Sequence, residues 1–495
     1  MAPLYSKSSA GTGRSAAIRD LSIGGLGQSP IHEPSPSFAH VLANWTICGL
    51  FAFGILVLMF HAWEVGGIGP VAQVVGVLLV LAAGGLAWLF GGRPVAPAPV
   101  ELCLLAMGFL SLFRLSFNNN ISPDTVRTSF SVALILLFAV AGNAALIRRI
   151  SIERLLNVSA TALALATLPI LAFESKGIIG ALTAGDERWA WLFSPFDLHH
   201  SLTSIIFSLG IMLSIYRIIA GNLWIKAAFS AALIAQLTIV LATGGRTGVL
   251  ACSTSLALVF VFRMRSAPPI VWLGVLLVAV GGLLFSGEMV SFLSTMMELQ
   301  SEYRGFGTGA TGRTEIWNEG IELILADPVR LLFGSGLRAP TVEDVGFNPE
   351  NSYIAITLES GGIMLMWFVV SLLATIVRLH YQATDPGKDK ILILYGLLPI
   401  LQFALIVGLF NRQMLSVGNP ASMIFLVVFA GAWVYVSGPR PEAIGSGRQT
   451  AEVADSAAER RRRKAHDQPL TSSLDPTQFS PAMLRRRRAA DAEAV

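Results

Sequence analysis

The sequence predicts an all-α polytopic membrane protein, with about twelve transmembrane helices carrying one large, partly helical extracytoplasmic loop. Three observations predict it. Of 495 residues, 54% are hydrophobic and 13% charged, where a soluble domain carries about 25% charged residues. Apolar runs of roughly 20 residues, the length that crosses a ~30 Å hydrocarbon core as helix, recur between Ala43 and Val436. A long polar stretch, Gly287 to Gly362, interrupts them.

In chain order, the first 42 residues are rich in Ser, Gly and Pro and lack an apolar core ahead of a cleavage site, so they read as a disordered cytoplasmic lead. Nine spans follow within 43–286: residues 43–63, 69–91, 99–116, 126–147, 156–173, 199–221, 223–243, 246–262 and 268–286. The loop occupies 287–351, and three more spans, 352–377, 391–411 and 419–437, complete the membrane part at 352–437. The remainder, 438–495, is a disordered cytoplasmic tail that holds Arg460 to Lys464 and Arg485 to Arg488, and the basic pI belongs largely to it. In a membrane protein such a tail fixes orientation and touches anionic lipid, and nucleic acid is not expected as a partner.

Charge asymmetry agrees with this order. With both termini cytoplasmic in a bacterial inner membrane, every inner connection holds Lys or Arg: Arg93, then Arg148, Arg149 and Arg154, then Arg217 and Lys226, then Arg263 and Arg265, and last Arg378, Lys388 and Lys390. The short outer connections set Asp124, Asp186 and Glu187 against Lys176 and Arg188. Trp189, Trp191, Phe193 and Phe196 in the outer segment 174–198 are expected at the headgroup level. Cys48, Cys103 and Cys252 lie inside apolar runs with no metal-ligand spacing, so they read as packing residues. No internal repeat is visible, which counts against a transporter of inverted halves.

Inside the loop, Thr314 to Ala326 has helical spacing of Ile316, Trp317, Ile321 and Ile324, ended by Asp327-Pro328, and an amphipathic piece is expected at Val290 to Leu299. Gly334-Ser335-Gly336 and Asn348-Pro349 mark turns. The outer segments are rich in arginine: Arg246, Arg304, Arg313, Arg330, Arg338 and Arg412. A guanidinium stays charged and grips phosphate oxygens with two donors, so the set is expected to bind an anion rather than only headgroups. Arg246 lies in Thr243-Gly244-Gly245-Arg246-Thr247-Gly248, whose glycines admit a close backbone or ligand; snorkelling to headgroups is its alternative.

Gly312-Arg313-Thr314-Glu315-Ile316-Trp317, Gly334-Ser335-Gly336, Glu350-Asn351-Ser352-Tyr353 and Glu359-Ser360-Gly361-Gly362 follow one another in an order that resembles the outer loop of the O-antigen ligase and Wzy-type polysaccharide polymerase superfamily. Thr243 to Gly248 is similar to the short element these proteins carry on a membrane helix, and the exopolysaccharide polymerases of succinoglycan-like systems are the nearest members. The resemblance implies a glycosyltransferase, metal- and cofactor-independent, that moves a glycan from undecaprenyl diphosphate to an acceptor hydroxyl at the periplasmic face. Its partners are the undecaprenyl-diphosphate-linked oligosaccharide and the bilayer, with a chain-length regulator and export machinery beside them. Ligases carry His-Asn, nine residues, then Gly-x-x-Gly; here Glu350 stands at the His position and Met364 at the last Gly, which favours polymerase over ligase.

The chemistry assigns roles. Attack by a sugar hydroxyl on an anomeric carbon needs a base and stabilisation of the leaving diphosphate. Glu350 is the expected base, Arg313 and Arg246 the charge stabilisers, and Arg304, Arg330, Arg338, Asn351 and Tyr353 the substrate-binding residues, with the diphosphate among Arg246, Arg304 and Arg313. The competing reading of Glu350-Asn351-Ser352 is a helix cap. Glu343 and Asp344 are rival bases, and His199 and His200 stand at an outer helix end.

Overall fold

The computed structural model describes residues 38–62, 68–91, 98–117, 122–183, 193–264, 313–339, 349–384, 389–416 and 418–437. Helices dominate: α1 (Phe38–Leu58), α2 (Ile68–Leu89), α3 (Pro99–Phe117), α4 (Pro123–Arg149), α5 (Ile152–Phe173), α6 (Ser175–Thr183), α7 (His200–Ala220), α8 (Leu223–Thr243) and α9 (Arg246–Met264) precede the loop. Then come α10 (Arg313–Leu325), α11 (Pro328–Phe333), α12 (Ser352–Ser360), α13 (Gly362–Ala383), α14 (Leu392–Phe410) and α15 (Pro420–Ser437). Among the described residues nine helices are long and apolar enough to cross a membrane, namely α1, α2, α4, α5, α7, α8, α13, α14 and α15. The span expected at 268–286 and the amphipathic piece at 290–299 lie outside the described residues.

Helix is the form in which a lipid-embedded chain satisfies its own backbone polar groups, and the sequence marks the ends where caps are needed. Ser122, Ser151 and Asn222 each accept a backbone N–H at the start of α4, α5 and α8. The opening of α14, Leu392–Leu397, is wound as a π-helix; Pro399 has no N–H to give the carbonyl of Tyr395, and the wider turn absorbs that loss.

The layers follow from which faces are buried. α7, α14 and α15 form the interior, buried along most of their length, whereas α8 and α13 turn Ile234, Leu237, Met366, Val370 and Leu373 outward. Apolar helices gain little by leaving lipid for one another, so association relies on close packing and a few polar bonds. α7 supplies both: Ser201, Thr203, Ser204, Ser208, Gly210 and Ser214 are buried along it, and Ser214 donates to Gln236 Oε1 of α8 at 2.9 Å. Such a bond contributes roughly 0.6–2 kcal/mol in a membrane protein.

Two expectations are corrected. The span at 352–377 is two helices, α12 and α13, broken at Gly361, whose φ of 87° lies in the left-handed region. A Cβ at Gly361 would strike the backbone of Leu332 and Phe333, so the break exists to let α11 lie against it. Phe193 and Phe196 are buried rather than set at a headgroup surface: Phe193 fills the space above Gly177, and Phe196 packs its ring 4.8 Å from Phe60. Trp189 and Trp191 lie outside the described residues.

Candidate functional site

The loop helices stand over one end of the bundle because one apolar stripe docks them there. Ile316, Leu323 and Ile324 of α10 pack on Ile354 and Leu358 of α12, and the Trp317 ring lies 6.4 Å from Phe410 at the end of α14. Asp327 accepts the N–H of Val329 at 2.9 Å, so Asp327-Pro328 both ends α10 and starts α11. The Gly334-Ser335-Gly336 turn then crosses the end of α12: the N–H groups of Ser335 and Gly336 donate to the carbonyls of Leu358 and Glu359 at 2.8 and 2.9 Å. α3 fixes the same strap, with Arg114 Nε donating to the Gly334 carbonyl at 3.1 Å and the Leu337 N–H donating to Ser111 Oγ at 2.8 Å.

This docking brings the start of α10 to the start of α12. Arg313 Nε donates to Glu350 Oε2 at 2.8 Å across 37 residues of sequence. The Glu350 side chain is 42% exposed and that of Arg313 18% exposed, so the pair forms a rim open to solvent. A pair at this exposure contributes only about 0–1 kcal/mol to stability. Glu350 also holds a left-handed backbone, φ 43°, a conformation that costs a residue with a Cβ roughly 1–2 kcal/mol and concentrates at functional positions.

The next three residues lock that position to the end of α14. Asn351 accepts from the N–H groups of Tyr353 and Ile354 as the cap of α12, and donates its amide to the Leu409 carbonyl at 2.9 Å. Ser352 donates to the Asn411 carbonyl at 2.7 Å, and Tyr353 donates its hydroxyl to the Leu405 carbonyl at 2.7 Å. Asn351 and Tyr353, expected to bind substrate, make these bonds to the start of α12 and to the end of α14.

Behind the rim lies a cavity of about 390 Å³. One face of α12, Ser352, Ala355, Ile356 and Glu359, forms its floor, as the helical period places residues three, four and seven apart together. Val74, Val77, Leu78 and Leu81 of α2, Met107 of α3, and Val132, Ile135 and Leu136 of α4 make an apolar wall. The polar end holds Arg338, Glu359, Arg412, Ser416 and Gln73. Arg412 Nη2 meets Glu359 Oε1 at 2.5 Å in a part-buried pair, and Arg338 Nη2 donates to Ser416 Oγ at 3.0 Å. Burial, then the neighbouring Arg412, pull the Arg338 guanidinium below its ordinary pKa, while Glu359 pushes it up. An arginine nonetheless stays charged, so the cavity ends in a part-buried cation.

The arginines of the sequence reading therefore divide. Arg313 joins Glu350 at the rim, and Arg338 joins Arg412 in the cavity. Arg246 opens α9 after the left-handed cap Gly244, where Gly245 and Gly248 sit against Ser204 of α7, which donates to the Gly245 carbonyl at 2.6 Å. The close approach expected of these glycines is to a neighbouring helix. Arg330 ends α11, with a buried Nε that meets no partner among the described residues. His199 caps α7 by accepting the Ser201 N–H at 3.3 Å. Arg304, Glu343 and Asp344 lie outside the described residues. Sequence reasoning did not single out Glu359, Ser416 or Gln73 as site residues. A carboxylate inside a run taken for a membrane span was the available signal for Glu359.

Residues 231–369 match the family model described as O-antigen ligase. The match runs from α8 into α13 and takes in Arg246, Arg313, Arg338, Glu350, Glu359 and the Gly361 break. No curated protein matches the chain. Over this segment the chain is similar to the O-antigen ligase family, and the nine long apolar helices among the described residues make it a multi-pass membrane protein.

Proposed function

We propose that the protein is a polymerase of a bacterial surface or extracellular polysaccharide, transferring a glycan from a polyprenyl diphosphate to a hydroxyl of another lipid-linked repeat. The observation that carries this reading is the Arg313–Glu350 pair, a guanidinium and a carboxylate at 2.8 Å on a solvent-open rim, with Glu350 on a strained backbone. In the transfer the acceptor oxygen forms a bond to the anomeric carbon as the bond from that carbon to the diphosphate oxygen breaks. The hydroxyl proton passes to the Glu350 carboxylate, and the charge left on the diphosphate falls to Arg313, with Arg246 as its partner. The pairing with Arg313 holds the Glu350 carboxylate in place before substrate arrives.

A bacterial inner membrane, with both termini cytoplasmic and the loop end periplasmic, is the setting this reading requires. Reconstitution with a defined polyprenyl-diphosphate oligosaccharide tests it: a ladder growing by whole repeats supports a polymerase. Ligation is the second reading, favoured by the description of the matching family as O-antigen ligase. Cells lacking a ligase accumulate long unattached polymer, whereas cells lacking a polymerase retain single repeats on the carrier.

A further inference from the structure

We infer that the elbow between α10 and α11 dips into the bilayer leaflet on the loop side, as an apolar anchor that holds Arg313 level with the membrane surface. Its partner is the acyl-chain layer of the lipid rather than a charged headgroup. The inference stands apart from the transfer reaction and from the choice between polymerase and ligase.

Three observations carry it. α10 packs one stripe, Ile316, Leu323 and Ile324, on α12, yet Ile321 and Leu325, four residues apart, form a second apolar stripe that stays exposed. Glu315, Glu319 and Glu322 take another flank and are exposed as well, the division of apolar and charged faces that places a helix at a membrane interface. α11 then extends the second stripe, because Val329, Leu332 and Phe333 are exposed too.

The third observation is what this surface adjoins. α11 lies so close to the break between α12 and α13 that a Cβ at Gly361 would strike the Leu332 carbonyl and one at Gly362 would stand 3.1 Å from that of Leu331. From the next residue on, α13 turns Ile363 and Met366 outward along a helix long and apolar enough to cross a membrane. Leu325 is 64% exposed and Met366 66%, so the elbow offers as much of its apolar surface as the flank beside it that faces lipid. Charge picks the part of the lipid: the exposed charged residues of α10 are carboxylates, which repel anionic headgroups, and Arg330 of α11 is part-buried, so apolar area does the holding. α10 is one helix from Arg313 to Leu325, about 18 Å at 1.5 Å per residue, and seating its end fixes the height of its start.

The test uses the full chain in phosphatidylcholine nanodiscs, with single cysteines carrying an environment-sensitive fluorophore. Cys48, Cys103 and Cys252 are buried, so an introduced surface thiol is the one labelled. Leu325→Cys and Phe333→Cys sample the elbow, Met366→Cys gives the lipid-facing standard and Glu319→Cys the water-facing one. Val329→Cys and Leu332→Cys replace an elbow site whose variant fails to fold. A nitroxide on the lipid acyl chain is expected to quench the elbow sites as it quenches the Met366 site, and iodide to quench them at least about fivefold less than the Glu319 site. Exchanging phosphatidylcholine for phosphatidylglycerol is expected to leave both patterns unchanged, and lipid quenching that appears only with the anionic lipid overturns the acyl-chain anchor. Iodide quenching equal to that at the Glu319 site puts the elbow in water and overturns the inference. Access to neither quencher means that a second copy covers the face, which overturns it as well. None of these readings depends on transfer, so a failed polymerase reading leaves the anchor standing, and a failed anchor leaves the polymerase reading standing.

Discussion

The molecule holds two Arg–Glu pairs at one end of its bundle, and they differ in setting rather than in chemistry. At the rim, Arg313 and Glu350 meet at 2.8 Å with the carboxylate side chain 42% exposed. In the cavity, Arg412 and Glu359 meet at 2.5 Å with side chains 10% and 14% exposed. Solvent reaches the first pair, so forming it adds little stability and breaking it leaves two solvated charges. The second pair is largely shielded from solvent, so removing one partner leaves the other charge poorly solvated. The same two residue types thus make a solvent-open edge in one place and a shielded pair beside a second arginine in the other.

Substitutions break or sharpen that contrast. Glu350→Gln is expected to lower the transfer rate about 10²–10⁴-fold, the range for loss of a general base, with no change in thermal midpoint; parallel rate and melting assays on purified protein check both. Arg412→Ala is expected to destabilise by about 3–5 kcal/mol, seen as a lower unfolding midpoint in detergent, and a midpoint equal to wild type contradicts a shielded pair. Gly361→Ala forces a Cβ onto the Leu332–Phe333 backbone at a left-handed φ, and a loss of roughly 1–3 kcal/mol is expected from denaturation. The smallest expected effect is Asn351→Ala. It removes the cap of α12 for about 1 kcal/mol and, by loosening Glu350, lowers the transfer rate, whereas loss of stability at an unchanged rate reduces Asn351 to a cap alone.

How far the sequence reaches follows from the kind of signal each feature leaves. Spans such as α4, α5 and α8 announce themselves through apolar runs with Ser or Asn at the start, a local property. The break between α12 and α13 does not, because Gly361-Gly362 inside an apolar run reads as tolerated packing until α11 is seen lying against it. Phe193 and Phe196 show the same limit: aromatic composition fits a headgroup surface and a core alike, and the space above Gly177 decides between them. Arg313 at a helix start and Asn351 at a cap were readable from local pattern, but their meeting was not. The Arg313–Glu350 pair depends on α10 docking on α12, and Arg338 with Arg412 depends on a strap bonded to α3. Glu359 was the retrievable omission: a carboxylate one residue before a Ser-Gly-Gly break inside an apparent span signals a paired or functional charge.

The most direct measurement of the central claim is a single reconstitution of wild type and Glu350→Gln with a defined polyprenyl-diphosphate oligosaccharide, following chain length with time. Wild type is expected to build a ladder spaced by whole repeats, and Glu350→Gln, folded and equally abundant, to leave the starting repeat unextended. A Glu350→Gln ladder that grows at the wild-type rate contradicts the assignment of the rim as the place where the bond is made.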